Sequence, residues 1–211
     1  MKTLLNYLFE NNYDIKHDID MLKTSKDWWI RSGMETYEDE KDNKRIDYSD
    51  MVNLSEAEKT ILVAYLSHAY AKVNNALRIN DVDNDTIIFT KLLNNILSKL
   101  KTYKGVCYRG IVIDSGIKRI DTITYGNLLT YYKHNEGKII EYKEFLSCGK
   151  NKDKIIRKFM MSDNSLNFTI LSKTGKDLSK YNYEEEEILF KTNTKFKVVN
   201  VMNNYIKLEE I

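Results

Sequence analysis

The sequence predicts an α+β fold: one domain over residues 1–211, mainly helical over 1–104 and β-rich over 105–211. Three observations carry this. In the first half the apolar residues recur at helical spacing. In the second half the apolar runs are short, β-branched and aromatic, several with two-residue alternation. Helices followed by strands, without regular alternation of the two, argue against a doubly wound sheet.

The elements follow in order. Trp28 and Trp29 anchor a helical segment, and the charged run ETYEDEKDNKR at 35–45 reads as an exposed loop. Ser55 followed by Glu58 is a capping box, in which each side chain answers a free N–H of the helix start. Beyond it Leu62, Tyr65, Ala69, Val73 and Ala76 form an apolar stripe. A second stripe, Ser67, Tyr70, Asn74 and Arg78, carries polar and aromatic tips. The run TIIFTKLLNNILSKLK at 86–101 turns Ile87, Leu92, Leu93, Ile96 and Leu97 inward, and its closing lysines suit a helix C-terminus. Strands are expected in VCYRGIVI, EYKEFLSC, SLNFTILSK, EEEILFKT, TKFKVVNVM and NYIKLEEI, with short helices in YGNLLTYYK and KDKIIRKFMM.

Composition removes several function classes. The chain has Pro 0 and Gly 8, so collagen-like and Pro-rich readings fall, and its turns must be read from Gly, Asn, Asp and Ser. Net charge is +2, from 33 basic and 31 acidic residues without a basic block, which gives no footprint for nucleic acid. No apolar stretch reaches the roughly 18 residues of a membrane span. Cys107 and Cys148 are too few for a disulfide framework, and His17, His68 and His134 lack ligand spacing, so no metal is expected. The opening MKTLLNYLFENN, broken by Asn6 and Glu10, is not a secretory signal. Gly175-Lys176-Asp177 lacks the upstream glycine of a phosphate loop, and neither G-x-S-x-G nor H-E-x-x-H occurs.

Three features remain. Glu184 to Glu187 run directly into Ile188-Leu189-Phe190; on a strand Glu185 and Glu187 share one face while Ile188 and Phe190 take the other. Two neighbouring carboxylates repel, and a cationic ligand or a developing positive charge would compensate them. A solvated charge run is the plainer alternative. Tyr108-Arg109-Gly110 ends an apolar strand, and an arginine in a chain that otherwise uses lysine suits a bidentate grip on phosphate or carboxylate. A surface ion pair is the plainer reading there. Ser147 stands at the polar end of a third strand, Phe145-Leu146-Ser147-Cys148-Gly149.

In this order and spacing the three resemble the Arg–Ser–Glu class of mono-ADP-ribosyltransferases, within the bacterial ADP-ribosylating exotoxins such as binary-toxin enzymatic components and vegetative insecticidal proteins. The likeness extends upstream to Tyr65, Tyr70 and Asn74, followed by Asn75-Ala76-Leu77-Arg78, and runs from about Leu54 onward. It implies N-terminal helices packed on a mainly antiparallel two-sheet core with an NAD cleft. It also implies NAD as substrate without a metal. By the resemblance, Arg109 and the adjoining Gly110 would bind NAD, with Tyr65, Tyr70, Asn74 and Phe159 as further NAD contacts. Ser147 would orient the catalytic Glu187, which stabilises the oxocarbenium ion. Glu185 goes with an arginine side chain as acceptor, on a protein such as actin or another host protein. The segment Thr174 to Tyr183, with Tyr181 or Tyr183, would meet that acceptor. Cys148 and Gly149 stand where relatives carry Thr and a second Ser; the arginine expected after the aromatic is absent, with Arg157 and Lys158 nearby; and Glu144 lies where some relatives have Asn. The resemblance further implies a monomer, secreted or delivered into a target cell, or acting in the cytoplasm of an infected one. An NAD glycohydrolase and a catalytically decayed NAD-binding module are the alternatives.

Overall fold

The structure, a computed structural model, describes residues 15–42, 53–112, 125–159, 165–181 and 186–211. The chain forms two compact units, Met1–Leu100 and Lys101–Ile211.

The first unit is helical among its described residues: α1 (Ile15–Lys23), α2 (Trp28–Asp42), α3 (Glu56–Ala64), a π-helical turn (Tyr65–Ala69), α4 (Tyr70–Ile79) and α5 (Asn84–Lys99). The starts follow the expected capping chemistry. The Asp27 carboxylate accepts from the amides of Trp29 and Ile30 at 2.9 and 3.3 Å. At α3 the capping box is complete, with Glu58 N donating to Ser55 Oγ at 3.3 Å and Ser55 N to Glu58 Oε2 at 3.0 Å. Glu58 also takes Lys99 Nζ at 2.6 Å, which ties α3 to α5. α4 closes on Asn80 in the left-handed region (φ 60°), and Asp81 N donates back to Ala76 O at 3.0 Å. Asparagine here does what glycine commonly does.

Two expectations need correction. The charged run is not a loop over residues 35–42, because α2 continues to Asp42; residues 43–45 lie outside the described residues. Ile30, Met34 and Tyr37 lie on one face and are buried, and Tyr37 Oη donates to Glu56 Oε2 at 2.6 Å, so the apolar spacing overrides the charges. In α5 Leu92, Leu93, Ile96 and Leu97 are buried as expected, but Ile87 is half-buried while Ile88 and Phe89 are buried in its place.

Among its described residues the second unit carries eight strands: β1 (Gly105–Val112), β2 (Ile139–Tyr142), β3 (Leu146–Gly149), β4 (Ser165–Ser172), β5 (Lys176–Asp177), β6 (Glu187–Phe190), β7 (Thr194–Met202) and β8 (Tyr205–Glu210), with helices α6 (Tyr125–His134) and α7 (Lys152–Phe159). They hydrogen-bond as one mixed sheet in the order β2-β7-β8-β4-β1-β3-β6-β5, where two sheets were expected. The link between β1 and β3 is narrow, with Tyr108↔Gly149 as its register pair. β4 and β8 run parallel; the other pairs are antiparallel. EYKEFLSC is not one strand: β2 pairs with β7, whereas β3 lies between β1 and β6, and Lys143 to Phe145 separate them. The core is built on Phe168, Ile170, Ile188, Phe190, Phe196 and Leu208. At the end of β4, the buried Glu210 carboxylate accepts from the amides of Lys173 and Thr174 and from the Thr174 hydroxyl, and so fixes the turn. Gly175 in that turn is needed for space, since a Cβ there would stand 2.7 Å from Ser172 Oγ and 2.8 Å from Ile188 Cγ2.

Two outcomes are expected for the helical unit. Gly33 lies inside α2, where alanine is intrinsically favoured, yet a Cβ would meet Ala64 O at 2.8 Å. Gly33→Ala should therefore destabilise by about 1–3 kcal/mol in urea unfolding. Burial raises the Glu58 carboxyl, but Lys99 and the Ser55 groups outweigh it and hold the pKa below its ordinary 4.5. A group depressed on folding contributes stability above its unfolded pKa and loses it as pH falls through the folded value. The urea midpoint of the wild type should drop below about pH 4.5, and Glu58→Gln should lower the midpoint at pH 7 while flattening that drop.

Candidate active site

Three sequence-selected residues stand on three neighbouring strands. Tyr108, Gly149 and Glu187 form one rank across β1, β3 and β6. Ser147 lies two residues before Gly149 and pairs with Leu189, so Ser147 and Glu187 share a face as diagonal neighbours. Glu187 is buried. Gly149 is the residue directly opposite it.

Arg109 follows Tyr108, and the pleat sends its side chain toward the other face. Its Nη1 nevertheless donates to the backbone carbonyl of Ser147 at 2.6 Å. A strand carbonyl points along the sheet, so the guanidinium reaches across from β1 to the backbone of β3, beyond their one register pair. Its Nε is buried with no hydrogen-bond partner. Gly110 lies next on β1, paired with the buried Asn167.

The surroundings include residues that sequence reasoning missed. Tyr132 of α6 and Tyr142 of β2 share a hydrogen bond between their hydroxyls. Burial pushes both phenols well up, while the nearby Arg109 charge acts in the opposite sense and Glu144 reinforces the rise. These are neutral phenols beside a guanidinium. Nothing in the local sequence marks them, because they meet only through the fold. Cys107 and Cys148 are free and buried. Their mutual hydrogen bond and burial push the Cys107 thiol up, so it stays protonated.

The upstream residues belong to the helical unit. Tyr65 is buried and Tyr70 is 50% exposed. Asn74 Nδ2 donates to Tyr65 Oη at 3.0 Å. In a regular α-helix a nine-residue separation is about two and a half turns, which puts the two on opposite faces. The π-helical turn absorbs one extra residue and brings Tyr65, Tyr70 and Asn74 toward one side. Ser67 Oγ donates to the carbonyls of Val63 and Ala64 at 2.9 and 3.3 Å, supporting the backbone at that turn.

Of the acceptor segment, Tyr181 is half-buried and its amide donates to Leu178 O at 2.8 Å. Glu185, Asn182 and Tyr183 lie outside the described residues, as does the Phe159 side chain at the end of α7. Glu186 adopts a left-handed φ of 48°, uncommon for a residue with a long side chain, and its carboxylate takes Lys154 Nζ at 2.8 Å. Among the described residues there is no group of three or more His, Cys, Asp or Glu side chains arranged to hold a metal, and no helix is long and apolar enough to cross a membrane.

Known proteins share this fold. The structure is similar to exoenzyme S from Pseudomonas aeruginosa, solved with human 14-3-3 protein beta and carba-NAD, at 20% identity over 94% of this chain and 89% of that one, with TM-score 0.63. It is similar to the eucaryotic mono-ADP-ribosyltransferase ART2.2 at 16% identity, 99% and 87% coverage and TM-score 0.69. It also resembles the ADP-ribosyltransferase Vis of Vibrio splendidus, solved with agmatine, at 22% identity, 91% and 90% coverage and TM-score 0.59. No curated protein sequence matches the chain. The structural likenesses establish a shared fold, and the family model for ADP-ribosyltransferase exoenzymes matches residues 33–210, so the chain belongs to the ADP-ribosyltransferase exoenzyme family.

Proposed function

We propose that this transferase moves ADP-ribose from NAD to an arginine side chain of a target protein and releases nicotinamide. The observation that carries the reading is the rank of strands β1, β3 and β6, with Arg109 bonded to the Ser147 backbone and Glu187 beside it. The unpartnered Arg109 Nε suits an NAD phosphate oxygen. Neighbours solved with carba-NAD and with agmatine, a guanidinium compound, support the same substrate pair.

In this reading the bond between ribose C1′ and the nicotinamide nitrogen breaks, its electron pair leaving with nicotinamide. Glu187 accepts a hydrogen bond from the ribose 2′-hydroxyl and stabilises the positive charge that develops on the sugar. Ser147 holds that carboxylate in place. The incoming guanidinium is protonated at neutral pH and has no free electron pair for attack. Glu185, two residues upstream, orients it and takes its proton as the C1′–N bond forms. Tyr65, Tyr70, Asn74, Gly110 and Phe159 complete the NAD contacts, and the segment from Thr174 to Tyr183 meets the acceptor protein.

A glycohydrolase reading uses the same site with water as acceptor, and Gly149 favours giving it a hearing, because the residue opposite Glu187 brings no hydroxyl. Incubation with labelled NAD and host-cell lysate separates the cases. Wild type should label proteins, and Glu187→Ala should reduce labelling by about 100- to 1,000-fold. Undiminished labelling by Glu187→Ala would sink the proposal. Glu185→Gln should abolish transfer to arginine while sparing NAD hydrolysis, measured as nicotinamide release. Hydrolysis without any protein labelling by the wild type would leave the glycohydrolase.

A further inference from the structure

Arg109 pairs with Phe168 of β4, so its side chain leaves the sheet on the same face as that core phenylalanine. Tyr132 of α6 packs edge to face on Phe168, with ring centres 5.2 Å apart. The Tyr132 hydroxyl shares its hydrogen bond with that of Tyr142. Tyr142 packs edge-on against Phe196 at 5.6 Å, closes β2, and leads through Lys143 to Phe145 into β3. One stretch of chain thus brings two groups to the guanidinium. The Ser147 carbonyl accepts from Nη1 at 2.6 Å, and the Tyr142 phenol feels the charge, as does Tyr132.

The two phenols are suited to holding a cation without neutralising it. Burial keeps both of them protonated. A neutral oxygen beside a guanidinium turns its negative end to the charge, and the mutual hydrogen bond fixes the direction of the donating hydroxyl. A carboxylate bonded in the same place would cancel the charge and compete with an anionic ligand. The backbone carbonyl of Ser147 is neutral too, so both polar groups on the guanidinium side of this stretch leave its charge intact.

We propose that the Tyr132–Tyr142 hydroxyl pair positions Arg109, holding the guanidinium in line for an NAD phosphate with its charge undiminished. This inference deepens the proposed function and rests on Arg109 as the residue that grips NAD. Neither tyrosine meets the reacting atoms; each acts through Arg109, so NAD binding depends on them and the chemical step does not. Without the two hydroxyls the rings still fill the core, and the guanidinium keeps only Ser147 O as its polar contact.

The test uses the full chain as wild type, Tyr132→Phe/Tyr142→Phe, Arg109→Lys and the three substitutions combined, with carba-NAD as the probe. Removing both hydroxyls leaves no orphan, so the thermal midpoint should hold. If it falls, Tyr142→Phe alone, measured where it is folded, carries the same readouts. Calorimetry should show carba-NAD bound about tenfold more weakly by the double variant, while kcat for nicotinamide release at saturating NAD stays within about twofold. Arg109→Lys retains a charge for the phosphate but has no guanidinium for the phenols to hold. In that background the two tyrosine substitutions should weaken binding by less than about twofold. The Arg109 Nε–H signal in proton–nitrogen spectra, assigned by its loss in Arg109→Lys, should exchange with water about tenfold faster in the double variant. Unchanged exchange overturns the positioning, and so does unchanged affinity. An equal loss of affinity in the Arg109→Lys background overturns action through Arg109. A wild type that fails to bind carba-NAD overturns the NAD reading instead, while the exchange arm still decides whether the pair holds the guanidinium.

Discussion

The parting of β1 and β3 is the constraint on which the sheet-bearing unit depends. A continuous ladder would satisfy the backbone and leave no opening; complete separation would leave strand carbonyls without donors. The chain takes a middle course. One register pair, Tyr108↔Gly149, keeps the strands together, and beyond it the Arg109 guanidinium supplies the donor that Ser147 O lacks from β1. The residue that binds the opening together also retains a buried Nε with nothing to bond. A buried donor of that kind carries a desolvation cost that the rest of the unit must offset.

Around that opening, the fold is held by contacts between residues far apart in sequence. β4 takes β1 on one side and the parallel β8 on the other. Glu210, from the end of β8, reaches the turn after β4. The path from that turn through β5 to β6 is fixed at Gly175 by lack of space and at Asp177 by a lysine from β3.

Local rules were enough for much of this. Ser55 and Glu58 announce the start of α3, the stripe from Leu62 to Ala76 is buried throughout, and most strands stand where two-residue alternation places them. Arg109, Ser147 and Glu187 stand out in the sequence by residue type and order, and the structure sets them on three neighbouring strands. What local rules could not supply is pairing. EYKEFLSC has strand composition throughout, and only its partners reveal that β2 and β3 stand at different places in the sheet. The charges of 35–42 hide a helix whose one buried face is spread over Ile30, Met34 and Tyr37. Tyr132, Tyr142, Lys150 and Glu210 gain their importance from partners ten or more residues away, and nothing beside them in the chain signals it.

The π-helical turn at Tyr65–Ala69 gives the long helical stretch from Glu56 to Ile79 an uneven stiffness. On either side the ladder is regular; within the turn the spacing is wider and a serine hydroxyl supports two carbonyls. A bending load on that stretch would concentrate at one place, as in a rod with a single compliant joint. The joint lies between the two tyrosines of the upstream pattern, so bending there would change the angle between their rings before it disturbed either helix.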